Sequence, residues 1–217
     1  MRYSTILFDL DGTLTASAPG ITASLEFALK ECGHTPPEDM LRFVGPPLWY
    51  SLKEFCGIEG DEAERVISRY KERYTRRGMF ENSVYEGVKE ALESLSQKGY
   101  TLGTATGKYE LYARRITDHF GLSPYLAGVF GSEKDKGRVE KADIIGYALS
   151  ELGISDKSTV LMVGDRSYDA EGAKKAKVDC MGVLWGYGSK EELESAGVRY
   201  IASTPAHMLE ILYETNS

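Results

Sequence analysis

The sequence has no uninterrupted apolar run approaching the ~18 residues of a membrane span, so a transmembrane helix is not expected. Cysteine is scarce: Cys32, Cys56 and Cys180 are the only three in 217 residues. None forms a CxxC pair or a metal-like spacing with histidine, which removes zinc ribbons and redox motifs and suits a reducing compartment. A basic excess is also lacking. The formal net charge is −7, which weighs against a nucleic acid polymer as partner. It leaves a phosphorylated small molecule open, because a bound cation and one or two lysines reverse the local sign in a cleft. The opening MRYSTILFDLDG meets acidic residues before any long apolar stretch, so no secretory signal is expected there and the cytoplasm is the expected location.

What is present is an ordinary globular composition, 42% hydrophobic and 27% charged, long enough to bury a core without staples. Thr5 to Asp9 is a short apolar, strand-like run halted by Asp-Gly. Three helical patterns follow with no strand between them. Ile21, Leu25, Ala28, Leu29 and Cys32 form one stripe, closed by Gly33. The segment from Leu41 to Phe55 is broken by Gly45-Pro46-Pro47 into helix, turn, helix. A third helix is expected from Asp61, with Glu64 completing a variant capping box, and carries Ala63, Val66, Ile67, Tyr70 and Tyr74.

Beyond Asn82 strands and helices alternate. Strands are expected over Tyr100–Thr106, Ala127–Phe130, Thr159–Val163, Cys180–Leu184 and Arg199–Ile201. Helices fill the gaps, among them Tyr109–Phe120, Glu140–Leu152 and Asp169–Lys177. Alternation of this kind requires right-handed crossovers and a parallel sheet covered on both faces. The expected fold is therefore α/β, a Rossmann-like doubly wound parallel sheet. Residues 1–15 and 82–217 form its core domain, and residues 16–81 a small all-helical insertion, a candidate lid over the strand ends.

Chemistry concentrates in four places. Asp9 and Asp11 fall on one side of the chain where the first strand ends; two carboxylates so near repel unless a cation or proton intervenes. Gly12 permits a tight turn and frees its N–H for an anion. Gly164-Asp165-Arg166-Ser167-Tyr168-Asp169 follows the strand TVLMVG and brings two more acids to a strand end. Thr106-Gly107-Lys108 closes the strand LGTAT. Lys141 stands in the first turn of a helix, where a cation and the positive helix end together favour an anion; Lys134, Lys136 and Arg138 are its rivals. Hard oxygen ligands with room for water suit Mg²⁺.

Taken together, ILFDLDGTLT and GDxxxD resemble the haloacid dehalogenase superfamily, and in particular its aspartate-nucleophile phosphatases of the phosphoglycolate phosphatase-like group with a helical cap. The resemblance implies that Asp9 attacks phosphorus and that Asp11 protonates the leaving oxygen and then activates water. It implies phosphate contacts from the Thr106 hydroxyl, the Gly107 N–H, Gly12 and Lys141, and Mg²⁺ held by Asp9, the Asp11 carbonyl and Asp165, with Asp169 behind them. Gly45 becomes a candidate for the substrate pocket. A true dehalogenase lacks the second aspartate, so Asp11 points to phosphate. The chain departs from the group by having Gly107 where Asn is usual and no prolines ahead of Lys141. The implied substrate is a small phosphomonoester, phosphoglycolate-like or a 5′-nucleotide. A phosphosugar mutase of the same fold is the main rival. A non-catalytic phospho-acceptor or binding module is the rival from another class.

Overall fold

In the computed structural model, which describes residues 2–216, the strand-like run is β1 (Thr5–Phe8), buried at every position. Burial on both sides is what an apolar, β-branched run without alternation demands of a central parallel strand. β1 pairs in parallel with β2 (Thr101–Thr104) on one side and β5 (Val160–Gly164) on the other. The sheet continues through β6 (Asp179–Val183) and β7 (Tyr200–Ala202), in the order β2-β1-β5-β6-β7. The doubly wound parallel sheet expected from the alternation is therefore present.

Between these strands run α4 (Val88–Gln97), α5 (Glu110–His119), α6 (Lys141–Glu151), α7 (Ser167–Ala176), α8 (Lys190–Ala196) and α9 (Pro205–Asn216). Alternate β1 side chains enter two cores. Leu7 joins Met162 of β5 and Ile144, Ile145, Ala148, Ala170 and Ala173 of α6 and α7. Phe8 instead faces Val88, Leu92 and Met208, from α4 and α9.

Three expectations shift. The strand expected up to Thr106 stops at Thr104, and a second short strand, β3 (Thr106–Tyr109), begins beyond Ala105. The strand expected over Ala127–Phe130 is not a named strand. Its backbone still bonds toward β2, through Ala127 N–H to Leu102 O and Thr104 N–H to Gly128 O, but the regular ladder is β4 (Gly131–Ser132) against β3. Tight packing at Gly128, where a Cβ would come within 2.2 Å of the Phe130 ring, accompanies this irregular stretch. The capping box expected at Asp61 is absent: the helix starts at Gly60 behind Glu59, with no side-chain cap, leaving Asp61 and Glu62 in its first turn.

The chain divides into two compact units, residues 1–15 with 84–217, and residues 16–83. A backbone bond from Ala16 N–H to Ser83 O ties together the ends of the second unit. That unit is helical, built from α1 (Ala18–Glu31), α2 (Leu48–Cys56) and α3 (Gly60–Arg76). Its own core gathers Leu25, Ala28, Leu29, Phe43, Leu52, Ile58, Ala63 and Val66. No helix among the described residues is long and apolar enough to cross a membrane.

Candidate active site

The strand order creates the site. From β1 the chain next enters the sheet on one side, as β2, and later on the other, as β5, so the connections leave β1 and β5 in opposite directions. Ligands of open α/β sheets bind at the carboxyl ends of strands where the order reverses in this way. Phe8 is in register with Val163, and the Asp9 N–H donates to Val163 O at 2.9 Å. Parallel pairing thus delivers Asp9 and Asp165, distant in sequence, to the same edge of the sheet.

One carboxylate oxygen each from Asp9, Asp165 and Asp169 lie within 4.8 Å of one another. Asp165 and Asp169 are buried. Asp165 accepts from the Thr13 hydroxyl at 3.0 Å and from the Tyr187 N–H at 2.9 Å. Asp169 caps its own helix, accepting from the Arg166 N–H at 3.2 Å. Gly12 is required in the wall of this cluster: its φ is +83°, and a Cβ there would lie 2.2 Å from Asp165 Oδ2. Its N–H, expected to face an anion, instead closes the turn by donating to Thr15 O at 2.8 Å. Burial, then the charges of Asp169 and Asp9, push the Asp165 carboxyl up to about 8, against the pull of its two donors. Asp169 is pushed up to about 6, first by burial and by Asp9, with Lys141 opposing.

Lys141 projects from the first turn of α6 into these acids. Its ammonium lies 2.9 Å from Asp9 Oδ1 and 2.8 Å from Asp169 Oδ1, and donates to Ala105 O at 2.8 Å. Its stem crosses α7 at Gly172, where a Cβ would lie 2.4 Å from Lys141 Cγ. A glycine inside a helix costs up to about 1 kcal/mol, and here it admits the lysine. Burial alone would lower the Lys141 pKa, but Asp169 and Asp9 outweigh it and raise it, keeping the group charged. The rival cations point elsewhere. Lys136 is exposed and pairs with Glu133, while Arg138 pairs with Glu110 and Glu133 and stacks on Tyr147. The Lys134 side chain lies outside the described ones.

Thr106 is buried, and its hydroxyl accepts from the Lys108 N–H at 3.2 Å. Its neighbour Thr104 is structural, exchanging hydrogen bonds with the Phe130 backbone at 2.9 and 3.0 Å. A Cβ on Gly107 would meet nothing within 4 Å, so no crowding demands glycine in that loop. Arg166 is held by Glu192 at 2.9 Å, and the Ser167 N–H donates to the same carboxylate oxygen at 2.8 Å. These bonds make Arg166 part of the loop's framework. Gly45 belongs to the helical unit, on an exposed turn with φ 108°.

Asp11 stands apart from the three-acid cluster. Its Oδ2 lies 2.8 Å from the ammonium of Lys108, whose side chain is 7% exposed. Lys108 was legible: two residues after Thr106, strand alternation puts both on one side. Other contributors carried no signal. Trp185 Nε1–H donates to Thr13 O at 2.9 Å, bracing the turn after Asp11. Burial and the Tyr187 hydroxyl, then the charges of Asp165 and Asp11, raise the Tyr85 pKa far above the ordinary phenol value, so Tyr85 is a neutral neighbour of the acids.

The donor set fits a hard divalent cation. It is all oxygen, and three buried or half-buried carboxylates crowd together with a single ammonium between two of them. Asp9 Oδ1 and Asp169 Oδ1 share that ammonium's charge without a directed hydrogen bond, and Asp11 Oδ1 is buried with no hydrogen-bond partner. Such groups are costly unless counter-charged.

Comparison with known proteins identifies the family. The model of the haloacid dehalogenase-like hydrolase family matches residues 6–183. A 5′-nucleotidase of Pseudomonas aeruginosa is 38% identical over 215 residues, 98% of this chain and 96% of its own length. The tyrosine-protein kinase PtkA of Mycobacterium tuberculosis is 38% identical over 198 residues, 90% of this chain and 67% of that one. The crystal structure of a predicted phosphatase from Clostridium acetobutylicum superposes with a TM-score of 0.92 at 38% identity, covering 99% of this chain and 100% of its own. By the span of that match and the likeness of its relatives, the chain belongs to the haloacid dehalogenase-like hydrolase family, as one of its phosphatases.

Proposed function

We propose that the protein hydrolyses a small phosphomonoester through a phosphorylated Asp9, with Mg²⁺ as cofactor and Asp11 as the proton carrier. The carrying observation is the meeting of Asp9, Asp165, Asp169 and Lys141 at one strand edge, with Asp11 beside it on a separate cation. An Asp9 carboxylate oxygen attacks phosphorus, and the bond from phosphorus to the leaving oxygen breaks. Asp11 gives its proton to that oxygen, so an alcohol departs. Water then attacks the phosphorus of the aspartyl phosphate and loses its proton to Asp11. The phosphorus–Asp9 bond breaks, inorganic phosphate leaves, and both acids return to their starting states.

Asp9, Asp165 and the Asp11 carbonyl would hold the cation, with Asp169 behind them, and the cation would supply positive charge against the nucleophile and the phosphoryl oxygens. Lys141, the Thr106 hydroxyl and the Gly107 N–H are assigned to the equatorial phosphoryl oxygens, where charge accumulates. Gly45 is assigned to substrate contact, and the helical unit to the role of cap.

Of the compatible substrates, a 5′-nucleotide is favoured by the identity to the Pseudomonas aeruginosa 5′-nucleotidase over nearly the full length of both chains. The deciding measurement is kcat/KM with Mg²⁺ over a panel of 5′-nucleotides, phosphoglycolate, glucose 1-phosphate and phosphotyrosine. Nucleoside monophosphates should lead it. Conversion of glucose 1-phosphate to an isomer, without accumulation of inorganic phosphate, would make the protein a mutase instead. Folded, metal-loaded protein inactive on the whole panel would sink the hydrolase mechanism.

The acids also set a pH dependence. Asp165 titrates near 3.8 when unfolded and about 8 when folded without metal, and Asp169 moves from 3.8 to about 6. The fold therefore favours their protonated forms. The stability this supplies is complete below pH ~4 and is lost as pH rises toward 8. A cation replaces those protons. The rise in Tm on exchanging EDTA for saturating Mg²⁺ should accordingly be larger at pH 8 than at pH 5.5, with protons released on binding. A thermal shift independent of pH over that range would contradict the assignment of these acids to the metal.

A further inference from the structure

Lys108 takes no part in the steps above, yet it is almost fully enclosed and makes a 2.8 Å ion pair with Asp11 Oδ2. Its other neighbours explain why that geometry is stiff. Its own N–H donates to the Thr106 hydroxyl at 3.2 Å, and it lies within β3, whose first residue pairs with Gly131 of β4. The Thr106 N–H is bonded to Phe130 O at 3.1 Å, just ahead of β4. An enclosed ammonium held at one carboxylate oxygen fixes which oxygen of its partner is occupied.

The two oxygens of Asp11 consequently differ. Oδ2 is occupied by Lys108, while Oδ1 is buried without a hydrogen-bond partner. The Asp9 carboxylate has its own cation in Lys141. The neighbouring carboxylates are thus held by separate lysines from separate elements, β3 and α6. Asp11 is not among the three acids, Asp9, Asp165 and Asp169, whose carboxylate oxygens lie within 4.8 Å of one another.

We infer that Lys108 is a positioning residue for proton transfer: by gripping Oδ2 of Asp11 it aims Oδ1 at the leaving oxygen of the substrate. The inference rests on the phosphatase reading above and deepens it. Its consequence is selective. An alkoxide is a poor leaving group and needs the proton as its bond to phosphorus breaks, whereas a nitrophenolate departs without help. General acid catalysis contributes roughly 10²–10⁴-fold where it is needed. A misaimed Asp11 therefore damages turnover of alkyl phosphates far more than of activated aryl phosphates. Lysine lost merely as packing would harm both alike.

The test compares kcat/KM, which covers every step up to departure of the leaving group, for p-nitrophenyl phosphate and an alkyl phosphomonoester cleaved by the wild type. Lys108→Met should lose at least ~10-fold more on the alkyl ester than on the aryl ester. Lys108→Arg, which keeps a cation, should recover a large part of that difference. In an Asp11→Asn background, Lys108→Met should produce no further leaving-group selectivity. Should Lys108→Met fail to fold, Lys108→Gln carries the same comparison with a neutral donor of similar reach. Equal losses on the two esters, or undiminished activity on the alkyl ester, would overturn the inference while leaving the hydrolase intact. A wild type inactive on both esters would overturn the phosphatase reading and this inference with it.

Discussion

Asp9→Asn is expected to lower kcat by ~10⁴-fold or more, the scale on which loss of a covalent nucleophile is felt, while the fold persists. The amide keeps the shape of the side chain and is no nucleophile toward phosphorus. Stability should move the other way. In EDTA at pH 8 the Tm of the variant should exceed that of the wild type. The substitution removes one of three crowded carboxylates, relieving a charge that helps to push Asp165 and Asp169 up. Lys141 meanwhile retains Asp169 at 2.8 Å and Ala105 O at 2.8 Å. Loss of function with a gain in stability is the mark of a site whose groups are held against their preference. The two readouts are steady-state turnover on the best substrate of the panel and calorimetric melting without metal. Activity within tenfold of wild type would be incompatible with a phosphorylated Asp9.

Lys141→Met carries the second large effect, with opposite sign on stability. Removing a preorganised cation from the position facing a developing phosphoryl charge should cost about 10²–10³ in kcat. Without metal at pH 8, Asp9 and Asp169 lose their shared counter-charge inside the protein. Breaking a buried pair by removing one partner costs about 3–5 kcal/mol. That cost should shrink at pH 5.5, where Asp165 and Asp169, raised to about 8 and about 6, carry protons. Saturating Mg²⁺ should recover much of the lost stability and little of the lost turnover, because the metal neutralises the acids but does not replace a donor to the phosphoryl oxygens. Lys136→Met is the matched control: its side chain is 64% exposed and pairs with Glu133, and neither quantity should change. If Lys141→Met melted and turned over like the wild type, the cation facing phosphate would have to be sought elsewhere.

A protein named as a tyrosine kinase and a 5′-nucleotidase each share 38% identity with this chain. Equal identity thus accompanies different names, as expected when one fold hosts several activities. In this chain the exposed turn carrying Gly45, Pro46 and Pro47, with Trp49 and Tyr50 exposed just beyond it, is the part of the helical unit richest in exposed aromatic surface.

Much of the architecture could be read in advance because its causes are local. A fully apolar β1 halted by Asp-Gly, and strands alternating with amphipathic helices, specify a parallel sheet whichever side chains later meet. Asp9-Leu10-Asp11-Gly12-Thr13 and Gly164-Asp165 through Asp169 were legible for the same reason: in each, the chemistry lies within a few residues of a strand end. The expectations that moved depended on neighbours distant in sequence. The strand expected over Ala127–Phe130 gave way to β4, and the Asp61 box to a helix starting one residue earlier.

By itself, then, the order of residues determined that acids would stand at the ends of buried parallel strands, and that a helical segment would interrupt the sheet after its first strand. Only the tertiary structure decided which cation met which acid. Lys141 reaches Asp9 because α6 starts beside α7 at Gly172, and Lys108 takes Asp11 because β3 leaves the main sheet to pair with β4. The physical reason is one of range. Strand and turn preferences act over a few residues, whereas an ion pair forms within about 4 Å in space, between groups whose separation along the chain says nothing about where the fold will bring them.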